Sequence, residues 1–209
     1  MTAAGQPDAW GPIGQQVAAG QPLTRTLRDG TAVLLRPIRP DDAPRFRAAF
    51  AKLSEQSRYR RFHSAHPRLS PAELRYLTHI DQTDHVAWGM HDLPREEGLG
   101  VARWIRLDDE PTAAEFAVTV ADAAQGQGVG TLLIGVLLAS APPRGVELLR
   151  GSILASNAPM LRLIEELGGT ALGRAGVAHA YELRVPSGPE GLPETPAGRA
   201  VRALFDVVD

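Results

Sequence analysis

The stretch Val118-Thr119-Val120-Ala121-Asp122-Ala123-Ala124-Gln125-Gly126-Gln127-Gly128-Val129-Gly130-Thr131 carries the decisive signal of this sequence. It reads as a strand, a short turn, three glycines and the start of a helix. Such a junction presents backbone N–H groups that no helical carbonyl can reach, at the positive end of the helix dipole. Both features suit a pyrophosphate. Glycine lets the backbone approach the anion, because no Cβ stands in the way. A P-loop would need Lys followed by Ser or Thr after its last glycine, and Val129, Gly130 and Thr131 occupy that region. A dinucleotide fingerprint would need a third glycine where Thr131 stands, within an early βαβ unit. What stays open is another kind of pyrophosphate loop or an ordinary glycine-rich turn.

Downstream of the loop, an apolar helix over about 129–141 is stopped by Pro142 and Pro143. Residues 148–154 read as a strand, 158–167 as a helix ended by Gly168 and Gly169, and 178–185 as a last strand. Upstream, strand-like stretches at 85–91, 98–107 and 114–120 follow one another as an antiparallel meander. Before them come a strand at 32–38, a helix at 41–53 opened by acidic residues, and a helix at 71–78 with Ser70 as N-cap and Pro71 in its first position. Strands in a run, with helices interposed late, predict a mixed α/β (α+β) fold and not a doubly wound one.

The 209 residues are 44% apolar, enough for one sizeable core, and the formal net charge of -2 gives no basic footprint for nucleic acid or an anionic membrane. There is no cysteine, which removes disulfides, thiolate nucleophiles and Cys-ligated metals together. The six histidines, at 63, 66, 79, 85, 91 and 179, form no His-x-x-x-His pair, so no metal site is expected. Neither a basic n-region with an apolar h-region nor a span-length apolar run is visible, and the expected compartment is the cytoplasm. Residues 1–27, rich in Ala, Gly, Gln and Pro around a lone Trp10, read as a flexible arm. Residues 186–196 contain four prolines and read as a linker to a short helix with an apolar stripe at Val201, Leu204, Phe205 and Val208. A stiff linker favours seating that stripe on a second subunit, in a homodimer.

The spacing of Gln125, Gly128 and Gly130 resembles the Q/R-x-x-G-x-G/A signature of the GNAT superfamily of N-acetyltransferases. The resemblance runs over about 28–184. Gly100-Val101-Ala102-Arg103-Trp104 and Ala114-Glu115-Phe116-Ala117-Val118 look like the strands before that signature in one subgroup, the catalytic domain of bacterial protein lysine acetyltransferases. Ser57-Arg58-Tyr59-Arg60-Arg61-Phe62 and the segment from Leu69 to Asp81 look like the same subgroup. The resemblance implies a GNAT domain over 28–185, with a central, mostly antiparallel sheet of six to seven strands and about four flanking helices. It also implies acetyl-CoA as donor, no metal, and a primary amine as acceptor, a protein lysine first among the candidates.

By the same resemblance, Val118, Thr119 and Val120 would bond the pantetheine arm and the thioester carbonyl. Gln125, Gly126, Gln127, Gly128, Val129, Gly130 and Thr131 would form the pyrophosphate loop, and Asn157 would contact the cofactor or act as an N-cap. Ile164 departs from the pattern, since many family members have there a tyrosine that protonates the leaving thiolate. Glu115 occupies the general-base position of the subgroup; burial beside Phe116 and Val118 would make it a stronger base, and an exposed strand-edge glutamate is the plainer alternative. Arg58, Arg60 and Arg61 form a basic cluster that could reach a phosphate, an acidic acceptor or only solvent. Two other functions compete with protein acetylation: an acyl-CoA-sensing module without catalysis, and acetylation of a small-molecule amine.

Overall fold

The computed structural model describes residues 9–64 and 68–206; His66 and Val208, singled out above, lie outside them. Among the described residues eight strands form one sheet: β1 (Leu23–Thr26), β2 (Ala32–Pro37), β3 (His85–Asp92), β4 (Gly98–Arg106), β5 (Ala113–Val120), β6 (Leu148–Leu154), β7 (Thr170–Ala175) and β8 (Ala178–Arg184). Their order is β1-β2-β3-β4-β5-β6-β8-β7, antiparallel throughout except where β5 meets β6. The fold is therefore the expected mixed α/β, with one strand more than the upper count. β1 and β7, both at sheet edges, are the two strands that sequence periodicity does not reveal.

Among the described residues seven α-helices flank the sheet: α1 (Gly11–Ala18), α2 (Ala43–Lys52), α3 (Glu55–Phe62), α4 (Pro71–Thr78), α5 (Val129–Ser140), α6 (Ala158–Glu166) and α7 (Pro196–Phe205). α4 begins where the sequence placed it, with a capping box in which Ser70 Oγ accepts from Glu73 N–H and the Glu73 carboxylate accepts from Ser70 N–H. α5 is apolar on every side because it is buried on every side. One flank lies on β3, β4 and β5, and the other is covered by α1 and α7. Trp104, fully buried beneath it, donates its indole N–H to Ser140 Oγ at 2.9 Å, so this large side chain enters the core with its polar atom satisfied.

Two expectations about the chain ends are corrected. Trp10 and Val17 are buried, and Trp10 packs edge-to-face on Phe205 at 4.8 Å, so residues from Trp10 onward belong to the core and not to a loose arm. The few apolar residues there suffice because α5 and α7 supply the rest of the contact. Val201, Leu204 and Phe205 are likewise buried within the same chain, and α7 comes close enough to α5 that a Cβ at Gly135 would lie 3.0 Å from Val201. The stripe that motivated a dimer contact is thus covered by its own domain. Arg25 closes the arrangement by donating from Nε and Nη2 to Leu204 C=O at 3.1 and 2.7 Å, at the C-terminal end of α7.

Candidate functional site

The sheet opens at its one parallel junction. β5 and β6 are in register at Ala113 with Leu148, Ala114 with Leu149 and Glu115 with Arg150, and no further. Beyond that level β6 stays paired with β8, while β5 continues along β4 to Val120. Ala121 N–H bonds Leu99 C=O across β4. Backbone groups alternate sides along an extended strand, so Thr119 also bonds towards β4, and the N–H and C=O of Val118 and Val120 face the opening. Along the triplet, Val118 thus has both backbone groups and Val120 its N–H on the side of the gap, Val120 C=O being shared with Gln125 Nε2 at 3.4 Å, and Thr119 has its side chain on the sheet face.

The glycine-rich loop closes one end of this opening. Gly126 and Gly128 adopt φ of 78° and 92°, in the left-handed region that glycine enters without a Cβ penalty. The first α5 bond runs from Leu132 N–H to Gly128 C=O, ahead of which stand the N–H groups of Val129, Gly130 and Thr131. No side chain caps this helix. A cleft of about 470 Å³ runs from there between α3 and α6, lined by Val118, Val120, Gly126, Gly128, Asn157 and four arginines, Arg28, Arg60, Arg61 and Arg162. Among the described residues, Glu166 is the one carboxylate in that lining, and it is engaged by Ala197 N–H at 3.0 Å. Uncapped N–H groups, open glycines and surplus cationic charge are together the features that suit a phosphate-bearing ligand.

The two glutamines of the loop bond back to the protein, Gln125 from within the cleft lining. Gln125 donates to Ser57 Oγ, Asp122 Oδ1 and Val120 C=O at 3.2–3.4 Å, and Gln127 donates to Ala123 C=O. Gln127, expected among the binding residues, is absent from the cleft lining. The sequence also missed the anchor beneath them. Asp122 accepts from Ser54 N–H at 2.7 Å, Ser57 Oγ at 2.6 Å and Ser54 Oγ at 3.0 Å, tying the start of α3 to the loop. Partial burial would raise the Asp122 pKa, but these hydrogen bonds outweigh it and hold the carboxyl below its usual range. α3 owes its position to this anchor, since its own sequence is polar and shows no helical stripe.

Asn157 occupies the N-cap position of α6 without making a side-chain cap bond, and it lines both the large cleft and a second cavity of about 300 Å³. The two spaces also share Arg60, Arg61, Val118 and Met160, so they adjoin. Glu115 lines the second cavity and is exposed, which corrects the expected burial. The reason is the strand's period of two: Phe116 and Val118 point to the α5 side, and Glu115, between the core positions Ala114 and Phe116, points to the other. Ile164 is fully buried, with no path to the cleft.

A third, smaller space of about 90 Å³ lies on the Glu115 side of the sheet, under α2, α3 and α4. Arg103, 2% exposed, rises into it from β4, and Arg61 lines this space as well as the other two. Arg103 donates to Leu77 C=O at 3.2 Å and bonds His85 Nε2 at 3.1 Å. Burial and the Arg103 charge lower His85 to a pKa of about 4, so His85 is neutral at pH 7 and accepts from Arg103. A charged residue at the centre of a buried strand is a signal the sequence does contain.

Residues 32–170 match the family model of the acetyltransferase (GNAT) domain. The chain belongs to this family. As a GNAT domain it is 34% identical over 147 residues to the acetyltransferase Pat of Mycolicibacterium smegmatis, a match covering 70% of this chain and 44% of that relative. It thus spans less than half the length of that protein. A Pseudomonas aeruginosa acetyltransferase is 32% identical over 71% of this chain and 81% of its own length. The solved GNAT domain of S. lividans PAT superposes with a TM-score of 0.73 at 29% identity, over 78% of this chain and 96% of that one.

Proposed function

We propose that this GNAT domain transfers an acetyl group from acetyl-CoA to a primary amine, with a protein lysine as acceptor. The observation that carries the reading is the parting of β5 from β6 directly beside the uncapped, glycine-rich start of α5. The loop would take the pyrophosphate through the N–H groups of Val129, Gly130 and Thr131. Val118 and Val120 would bond the pantetheine arm along the exposed strand edge, and Asn157 would stand where that arm passes from the cleft into the second cavity.

The donor supplies an activated thioester, and the harder demand falls on the amine. A lysine ammonium of pKa ~10.4 costs roughly 4.6 kcal/mol to deprotonate at pH 7. Glu115 is the carboxylate lining the cavity that adjoins the cleft, and it would accept the amine proton as the C–N bond forms and the C–S bond breaks. A positioned base contributes roughly 10² to 10⁴ in rate. The sulfur leaves as a thiolate, and a thiol pKa near ~8.5 lets it do so without the tyrosine that Ile164 replaces. The lysine acceptor is supported by the subgroup likeness at Ser57 to Phe62 and Leu69 to Asp81.

Thioester consumption measured against peptides, polyamines and free amino acids tests the reading, with Glu115→Gln run in parallel. The expected outcome is turnover on a lysine peptide and a loss of roughly 10² or more in the variant, with acetyl-CoA affinity retained. Acetyl-CoA binding without turnover on any amine would make the chain a binding module instead.

A further inference from the structure

We propose that the small cavity under α2, α3 and α4 seats a carboxylate carried on a short aliphatic chain, held by Arg103 and Arg61. The inference rests on the acyltransferase reading above and adds a substrate class to it. Its walls are apolar: Phe46, Phe50, Leu53, Phe62 and Leu77 close it from the helix side. A guanidinium is seldom buried without a carboxylate beside it, because its desolvation is otherwise uncompensated. Among the described residues, no carboxylate lies within ion-pair distance of Arg103 or Arg61.

The like charge of Arg61 adds to the cost, since it and burial together lower Arg103 to a pKa of about 9, still charged at neutral pH. Glu115 and Tyr76 act on Arg61 in the opposite sense without neutralising the pair. At the far end of the cavity Asp42 is taken by Arg36, which donates to it at 2.6 and 2.7 Å, and it adds no free negative charge. His91 Nε2, in the lining, is buried without a hydrogen-bond partner among the described residues. The cavity therefore offers donors and positive charge inside an apolar shell. An alkyl chain fills the shell and a carboxylate satisfies the donors.

Two sources can bring that chemistry, because the cavity shares Arg61 and Thr119 with the donor cleft and Arg61, Phe62 and Ala117 with the Glu115 cavity. One is a dicarboxylic acyl group on the donor, and the other is an acceptor amine that also carries a carboxylate. The capping of Leu77 C=O by Arg103 is a structural role that predicts no such discrimination.

Calorimetric titration of acetyl-CoA, butyryl-CoA and succinyl-CoA separates these cases, with turnover of amine pairs differing only in a carboxylate as the second arm. Succinyl-CoA and butyryl-CoA have chains of equal length, so their affinity ratio reads the carboxylate alone. The expected result is a preference for the carboxylated member of one series by about tenfold or more. That preference should be lost in Arg103→Gln and reduced in Arg61→Gln, the second variant serving if the first does not fold. Discrimination in the donor series assigns the carboxylate to the acyl group, and discrimination in the amine series assigns it to the acceptor. Acetyl-CoA binding with both ratios near one overturns the carboxylate site alone. Failure of every acyl-CoA to bind overturns the donor reading and this inference with it.

Discussion

The ring of Phe116 rests against the bare α-carbon of Gly151, at the level where β5 and β6 cease to pair. A Cβ at Gly151 would lie 2.5 Å from Phe116 Cε1, closer than any real contact allows. The glycine thus makes room for the ring, and the ring floors the opening. Gly151→Ala should displace Phe116 and destabilise the domain by about 1–3 kcal/mol. It should also weaken acetyl-CoA binding, because Val118 and Val120 follow on the same strand. Denaturant unfolding and a parallel titration check both effects; a fully stable variant would mean that the ring can move freely.

Acid should destabilise the protein in two separate steps. His85 has its folded pKa lowered from 6.5 to about 4, so the unfolded chain binds the extra proton first, and stability declines as pH falls between those values. Asp42 is opposed by burial but held below its usual 3.8 by the Arg36 hydrogen bonds, so its contribution is intact above that value and is lost further down. Unfolding free energy measured from pH 7 to pH 3 should show the first slope flattened in His85→Gln. Asp42→Asn, which leaves Arg36 without its counter-ion, should cost roughly 3 kcal/mol at pH 7.

The C-terminal segment should be part of the folding unit. Leu204 and Val201 fill the approach of α7 to Gly135 on α5, so Leu204→Ala should cost about 3 kcal/mol through the cavity it leaves. Truncation after Val185 would bare one flank of an all-apolar helix. Loss of cooperative unfolding is the expected result, whereas a stable, merely monomeric product would return α7 to a role between subunits.

What the sequence disclosed followed from local rules. Ser70 and Glu73 announce the start of α4, Pro142 stops α5, and the glycines at 126 and 128 mark the loop because their left-handed backbone angles favour glycine. What it hid depended on tertiary contact. Residues 11–18 have too few apolar side chains to form a helix alone, and α3 stands because Asp122, 65 positions from Ser57, holds it. β7 carries a register shift between Ala171 and Gly173 that breaks its pattern. The error at Glu115 had a different origin, since the alternation of β5 already placed it opposite Phe116. Arg103 was visible as a charge inside a strand, but its isolation from carboxylates appears only when the sheet and helices are assembled.

If the parted strands and the α5 start form the donor site, isothermal titration of acetyl-CoA into wild type and Gly128→Val will read it. Gly128 lines the cleft, with φ +92° and no heavy atom within 4 Å of an added Cβ, so the Cβ of a valine there meets no wall of the protein. Its backbone strain is about 1–3 kcal/mol, which circular dichroism can show to be compatible with folding. The expected result is saturable binding to wild type and affinity weakened by at least about tenfold in the folded variant. Equal affinity in the two proteins, or no binding to wild type, would contradict it.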